Sequence, residues 1–169
     1  MRASNKLGGG GLRGVLSQLL LPVLRERFRS RGLVEGTPPD PCAAFPGIHP
    51  GIRGVSIYDD GDELTLCVDG LTHGHFSEYT EGLSESDREQ RIIESTVEFL
   101  SALFADEVVV WGQQHMGGWY RPEWGDAGRN TVVQIGGTGS KAPVEEFVWS
   151  GPYTQRHAAP GAAPDRGRM

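Results

Sequence analysis

Two histidines two residues apart, His73 and His75, are the side chains whose spacing best suits a metal ion. Residues i and i+2 of an extended strand project to the same side, so both imidazoles could bind one ion. A zinc hydrolase needs three protein ligands and an open position for water. His115, with Asp69 or Glu78, could complete that set. A metal-dependent hydrolase is therefore one hypothesis, and its alternative is a strand end whose histidines bond to neighbours or face solvent.

A long segment without regular spacing, residues 112–130, is the second candidate. It holds Trp119, Tyr120, Arg121 and Trp124, and these residue types dominate the hot spots of protein interfaces. Long loops are also frequently functional. We interpret the segment as a binding loop. The alternative is that its aromatic side chains fold back and cover the edge of a sheet, because a buried tryptophan usually serves packing.

A cluster of acidic residues precedes and opens the long predicted helix, and it is the third candidate. Such a cluster could contact a basic partner, or it could face water as charged helix ends commonly do. The preferred interpretation is a binding surface made of this cluster, the aromatic segment and the two histidines, with no catalytic residue, no bound metal and no cofactor. The acidic members are Glu78, Glu81, Glu85, Asp87 and Glu89.

The charge distribution favours a protein partner with a basic surface. The net charge is −6 over 169 residues, but residues 1–34 hold seven basic groups and one acidic group. The rest of the chain holds 9 basic and 21 acidic groups. An acidic body repels phosphates, so nucleic acid is not the expected partner. Neither the G-x-S-x-G nor the H-E-x-x-H catalytic pattern occurs in the chain.

The elements that position these candidates are predicted from hydrophobic spacing. Asp60-Gly61 between Val55–Tyr58 and Glu63–Val68 predicts a β-hairpin, whose second strand could extend toward Phe76. Ser84–Ala105 has a helical apolar stripe, and Ser86 with Glu89 predicts a capping box. Further strands are predicted at 107–111, 131–135 and 146–149. One long helix on a mainly antiparallel sheet indicates the α+β class.

Five segments are predicted along the chain. They are a disordered start (1–11), a basic amphipathic helix (12–31), a Pro/Gly-rich linker (32–54), the α+β domain (55–153) and a disordered tail (154–169). The helix could dock on its own domain or lie on a membrane surface. Its apolar stretch is shorter than the roughly 20 residues that span a bilayer. With only Cys42 and Cys67 and no cleavable signal pattern, we expect a cytoplasmic protein with free thiols.

The middle of the chain resembles small bacterial proteins encoded beside polymorphic toxins, the immunity-protein type. The resemblance rests on Glu63–Val68, on His73–Phe76, and on the helix that leads through Asp106 into Val108–Trp111. It covers roughly residues 55–120. It implies a non-catalytic inhibitor that binds one toxin, and it transfers no catalytic residue. Many toxins are cationic nucleases, which an acidic partner would meet quickly. The identity of the partner and the oligomeric state stay open.

Overall fold

The computed structural model describes residues 14–113, 116–121 and 145–153. The segments predicted at 1–11, 131–135 and 154–169 lie outside the described residues, as do His115 and Trp124. Two helices and nine strands occur in the described part. The helices are α1 (Val15–Arg27) and α2 (Glu85–Phe104); the strands are β1 (Val34–Glu35), β2 (Ala43–His49), β3 (Ile52–Asp59), β4 (Leu64–Val68), β5 (Thr72–Phe76), β6 (Val109–Gln113), β7 (Met116–Tyr120), β8 (Glu145–Val148) and β9 (Gly151–Pro152).

Strands β1 to β5 form an antiparallel sheet in which every strand pairs with its neighbour in sequence. The predicted hairpin is confirmed: Val55 lies opposite Val68 and Asp59 opposite Leu64. Gly61 in its turn has φ +101°, which suits glycine. Alternation along β4 buries Leu64, Leu66 and Val68 and leaves Thr65 and Cys67 partly exposed. The sheet therefore has one apolar face that must be covered.

A second antiparallel sheet has the order β7-β6-β8-β9. Strand β6 is central, between β7 and β8, which explains its continuous run of buried residues from Val109 to Trp111. All strand pairs in both sheets are antiparallel. Together with the long packed helix α2, they confirm the predicted α+β class.

The N-cap of helix α2 lies two residues before Ser86, the predicted capping serine. Ser84 is the N-cap residue, and its hydroxyl accepts the backbone N–H of Asp87 at 3.1 Å. The same hydroxyl donates to the Asp87 carboxylate at 2.7 Å. The prediction that Ser86 and Glu89 form the cap is therefore wrong, because the extended backbone that a cap requires lies at Ser84. Nine residues of α2 are buried, starting with Ile92 and ending with Phe104.

Helix α1 docks on the same core through a stripe that includes Leu16, Leu20 and Leu24. Its own N-cap position, Gly14, offers no side chain. The carboxylate of Asp59, at the end of β3, accepts the backbone N–H of Ser17 at 2.7 Å instead. A distant strand thus satisfies one of the free N–H groups at the start of the helix.

Strands occupy much of the segment 32–54 that the sequence predicts to be a linker. Both β1 and β2 lie within it, and β3 begins there. The prolines of this segment do not exclude a sheet. Pro46 of β2 lies opposite Gly54 of β3, next to a change of register, and β1 pairs with β2 only at Ala43 and Ala44. Prolines are tolerated at such edges and irregularities. The packed body therefore begins with α1 rather than with Val55.

The core joins both helices to both sheets. Phe104 at the end of α2 contacts Phe28 and Phe45 edge-on, with ring centroids 5.2 and 5.1 Å apart, the arrangement that aromatic pairs prefer. Trp149 packs on Phe104 from the second sheet at 4.8 Å. Within the described residues, neither helix has the length and apolarity to cross a membrane.

Candidate functional site

A cavity of about 460 Å³ opens where both helices begin. Leu16 of α1, the turn between β3 and β4, the connection from β5 to α2, and the first two turns of α2 all contribute to its wall. Its lining combines four acidic residues and one arginine with apolar residues. The lining residues are Leu16, Gly61, Asp62, Glu78, Tyr79, Leu83, Glu85, Arg88, Glu89 and Ile92.

Glu78 is fixed in position by its own loop. One carboxylate oxygen accepts the backbone N–H of Thr80 at 2.8 Å and its hydroxyl at 2.5 Å. The other oxygen lies 3.5 Å from the guanidinium of Arg91. The Thr80 hydroxyl, followed by the Thr80 N–H and Arg91, holds the pKa of Glu78 below its ordinary value, because each of them favours the charged carboxylate. Glu78 is therefore negatively charged at neutral pH at the cavity wall.

Three further carboxylates at the cavity are not held by hydrogen bonds or ion pairs within the described residues. Within the described residues, Asp62, Glu85 and Glu89 accept no side-chain hydrogen bond and form no ion pair. Glu85 lies in the first turn of α2, where negative charge is stabilised by the helix dipole. The fold therefore supports these charges and leaves their oxygen atoms available to a ligand.

The rim carries a tyrosine, and two members of the predicted acidic cluster do not line the cavity. Tyr79 is 72% exposed, a large exposure for an aromatic ring beside a charged cavity, and aromatic rings attract cations over their faces. Glu81 and Asp87 are exposed but do not line the cavity. Of the predicted acidic set, the cavity therefore contains Glu78, Glu85 and Glu89.

The two histidines lie on the outer face of the five-stranded sheet, away from the cavity. Their ring centroids are 5.4 Å apart with nearly perpendicular planes. Nδ1 of His75 lies 2.8 Å from a carboxylate oxygen of Glu63 and 3.2 Å from the hydroxyl of Thr65. His73 lies opposite Cys67 of β4. His75 is therefore held by its cross-strand neighbours.

No group of three or more His, Cys, Asp or Glu side chains in residues 14–113, 116–121 and 145–153 is arranged to hold a metal ion. The third ligand of the hydrolase hypothesis, His115, is not among the described residues, so that hypothesis stays a prediction. Cys67 is a residue on this face whose side chain could act as a nucleophile. Burial, followed by the charges of Asp69 and Asp60, raises the pKa of its thiol, so the reactive thiolate is disfavoured.

Trp119 lies between the two sheets rather than on a loop. It belongs to β7, where it pairs with Val110, and its ring stacks 6.2 Å from Phe76 and packs 4.7 Å from Phe99. A Cβ atom on Gly74 would lie 1.6 Å from the indole. The glycine between His73 and His75 thus provides the space that Trp119 fills.

The neighbours of Trp119 are engaged as well. Tyr120 is buried, and its hydroxyl donates to Glu146 at 3.1 Å. Arg121 donates to Glu98 at 3.1 Å across the surface. Of the predicted aromatic surface, Trp124 lies outside the described residues. Trp119 therefore ties the second sheet to the first sheet and to α2, and Arg121 adds a contact to α2.

Sequence reasoning missed several residues of the cavity. Asp62 belongs to a turn that explains its residue type by itself, and Leu16 lies 62 residues before Glu78 in the chain. Only the fold brings them together.

The contact at Gly74 could have been predicted from the sequence, because a glycine inside a strand pattern commonly marks the close approach of another group.

No protein-family model matches this chain, and comparisons with curated proteins and with solved structures also find no match.

Proposed function

We propose that this chain is a non-catalytic protein-binding module whose acidic cavity accepts a basic side chain of a partner protein. The observation that carries the proposal is the set of three uncommitted carboxylates, Asp62, Glu85 and Glu89, around one cavity. A single arginine or lysine side chain can interact with several carboxylates at once, and bidentate arginine–carboxylate contacts are the strongest of this kind.

The walls of the cavity suit the stem of such a side chain. Leu16, Leu83 and Ile92 supply apolar surface beside the carboxylates. Lysine and arginine bury their methylene stems against apolar surface while their charged heads meet polar groups. Tyr79 adds an exposed ring at the rim, where a cation gains a further attraction. Shape and charge therefore favour the same class of side chain.

Arg88 sets a limit on the partner. Its guanidinium lines the same cavity, so a ligand with more than one closely spaced positive charge is partly repelled, whereas a basic residue flanked by an acidic or amide group is accepted. This feature favours a defined protein surface over a uniformly basic polymer.

The finer proposal is that the partner is a cationic toxin and that the chain is its immunity protein. It follows from the resemblance over residues 55–120 and from the acidic charge of the chain beyond residue 34. An acidic inhibitor associates rapidly with a cationic enzyme, because opposite charges steer the encounter.

The first experiment measures binding of a short fluorescent peptide that carries one arginine, against the same peptide with citrulline in its place. Citrulline keeps the shape and removes the charge. We expect binding of the arginine peptide alone, weakened on raising the ionic strength from about 0.01 M to about 0.15 M. The double variant Glu85→Gln/Glu89→Gln should weaken binding by about tenfold.

The matched control is Glu107→Gln/Glu145→Gln, which removes two exposed carboxylates outside the cavity. Circular dichroism checks that each variant keeps its helix content. Equal binding of both peptides, or equal weakening by both double variants, would contradict the cavity as the binding site.

The finer proposal is tested by growth of cells that express a cationic nuclease toxin encoded beside this chain. Co-expression of the unmodified chain should restore growth, and co-expression of the Glu85→Gln/Glu89→Gln variant should not.

A further inference from the structure

A cleft of about 320 Å³ opens where the two helices end. The starts of α1 and α2 meet at the acidic cavity, and their last turns, with the turn that follows α1, meet at this cleft. Arg27 and Arg31 line it together with Ser30 and Ser101. No acidic residue of the described ranges lines it. The charge of this cleft is therefore opposite to that of the acidic cavity.

Arg31 is held in position at the cleft by the end of α2. Its guanidinium donates to the backbone oxygen of Phe104 at 3.2 Å. Its central carbon lies 5.2 Å from the centroid of the Phe104 ring, whose face attracts a cation. A guanidinium has several N–H donors in one plane, and the bond to Phe104 uses one nitrogen. The remaining N–H groups of Arg31 are thus available to a ligand.

No carboxylate balances the charges of Arg27 and Arg31 in the part of the chain that the structure describes. Arg25, which belongs to the same last turn of α1 as Arg27, shows the contrast. Its guanidinium binds the carboxylate of Glu35 through two N–H groups, at 2.6 and 2.7 Å. The cleft therefore holds two positive charges whose counter-ion is not a described side chain.

The carbonyl oxygens at the end of α2 already accept hydrogen bonds. Free carbonyl groups at a helix end would repel an anion. The oxygens of residues 101, 102 and 103 accept the backbone N–H groups of Ala105, Glu107 and Asp106, in that order. The oxygen of Phe104 accepts the guanidinium of Arg31. This arrangement lowers the electrostatic cost of placing an anion in the cleft.

We propose that this cleft binds a phosphate group. Two guanidiniums that line one cleft can donate to different oxygens of the same phosphate, whereas a carboxylate is satisfied by the fork of a single arginine. The hydroxyl of Ser101 donates to the backbone oxygen of Val97 at 2.6 Å. Ser30 forms no hydrogen bond within the described residues, so its hydroxyl is the one that adds a donor to the phosphate.

The test is a titration of the isotope-labelled full chain with inorganic phosphate, at neutral pH and constant ionic strength, followed by nuclear magnetic resonance. We expect saturable shifts of the Arg27 and Arg31 side-chain N–H signals and of the Ser30 amide. The dissociation constant should be on the order of 1 mM, because the cleft is open to solvent and exposed charged contacts are weak. Acetate should bind about fivefold more weakly, since it offers fewer oxygens to the two arginines.

Arg27→Gln is the decisive variant, because Arg27 bonds to no described residue and its loss should leave the fold intact. It should weaken phosphate binding by about tenfold. The control Arg29→Gln/Arg53→Gln removes two exposed arginines outside the cleft, and should change the dissociation constant by less than about twofold. Arg27→Gln should leave binding of the arginine peptide unchanged, so this site and the proposed function are tested separately.

Three results would overturn the proposal: no saturable shift up to about 50 mM phosphate, equal binding of acetate, or equal weakening by Arg27→Gln and its control. Flotation with vesicles that contain phosphatidic acid identifies the source of the phosphate. Flotation that is lost in Arg27→Gln would assign it to a lipid headgroup. Binding of inorganic phosphate without flotation would assign it to a soluble phosphorylated molecule, and both results support the site.

Discussion

The acidic cavity and the β7 segment around Trp119 both have residue types suited to binding, and the fold uses them in opposite ways. At the cavity, three carboxylates have no partner within the described residues. In β7, Trp119 packs against Phe76 and Phe99, and Tyr120 is buried and bonded to Glu146. The first region is available to another molecule, and the second holds the two sheets together.

The difference follows from the cost of burial. An unpaired carboxylate cannot be buried without a large desolvation penalty, so an acidic run without basic neighbours stays at the surface. A tryptophan gains free energy whether its contacts are internal or belong to a partner. Charge therefore constrains the location of a binding region more strongly than aromatic content does.

The largest effect that distinguishes the two regions is expected for Trp119→Ala. Removal of the indole opens a cavity between β5, β7 and α2, and should lower the free energy of unfolding by about 3 kcal/mol. Binding of the arginine peptide should be unchanged under folding conditions. Urea denaturation and the peptide assay measure the two quantities. Lost binding with unaltered stability would show instead that Trp119 is an interface residue.

Gly74→Ala is the matching test from the opposite side of the contact. The added methyl group would overlap the indole ring, and overpacking should lower the free energy of unfolding by about 1–3 kcal/mol. In the double variant Gly74→Ala/Trp119→Ala, the added methyl group has free space. The double variant should therefore lose less free energy of unfolding than the two single variants lose together. Strict additivity would contradict a direct contact between these two positions.

A smaller effect is expected within the acidic region, where Asp59 and Asp62 differ. Asp59 accepts N–H groups from Ser17 and Gly61, so Asp59→Ala should lower the free energy of unfolding by about 1–2 kcal/mol. Asp62 makes no such bond in the described part of the chain, and Asp62→Ala should stay within about 0.5 kcal/mol. Thermal or urea unfolding measures both. Equal losses would contradict the capping role of Asp59.

The smallest effect concerns the pH dependence that Glu78 contributes. Its pKa in the folded chain is below the ordinary value of 4.5, so its stabilising contribution is present above that value and is lost as the pH falls through the folded pKa. In Glu78→Gln, the urea midpoint should decline less between neutral and acidic pH. The control is Glu81→Gln, which changes an exposed neighbour. If it alters the decline of the urea midpoint with falling pH as much as Glu78→Gln does, the decline does not come from Glu78.

Local patterns predicted the elements that are stabilised locally. Helix α2 matches the range 84–105 within one residue at each end, because a long apolar stripe specifies it without distant partners, although the cap lies at Ser84 rather than at Ser86. The turn at Asp60-Gly61 likewise depends on backbone preferences of adjacent residues. Glu85 and Glu89 are close to each other for the same reason, since both belong to the first two turns of α2.

Elements that depend on distant partners were not predictable in this way. Strand β2 needs β3 to pair with and tolerates Pro46 only because of the local register. Strand β7 contains Gly117 and Gly118, which favour a loop in isolation, yet Gly117 lies against the backbone of Leu71 at a spacing that a side chain would prevent. The position of Leu16 at the cavity depends on how α1 docks, which no spacing within α1 specifies.

The cap that Asp59 provides to α1 also has a consequence for the order in which the chain folds. Helix α1 has 13 residues, contains Pro22 and has no side-chain cap of its own, and isolated helices of this length are marginal in water. Its stabilising carboxylate comes from the end of β3, 42 residues away. Asp59 lies at the end of β3 in the β3–β4 hairpin, so we expect α1 to be secured only after that hairpin has formed. Loss of its cap should accelerate unfolding more than it slows folding.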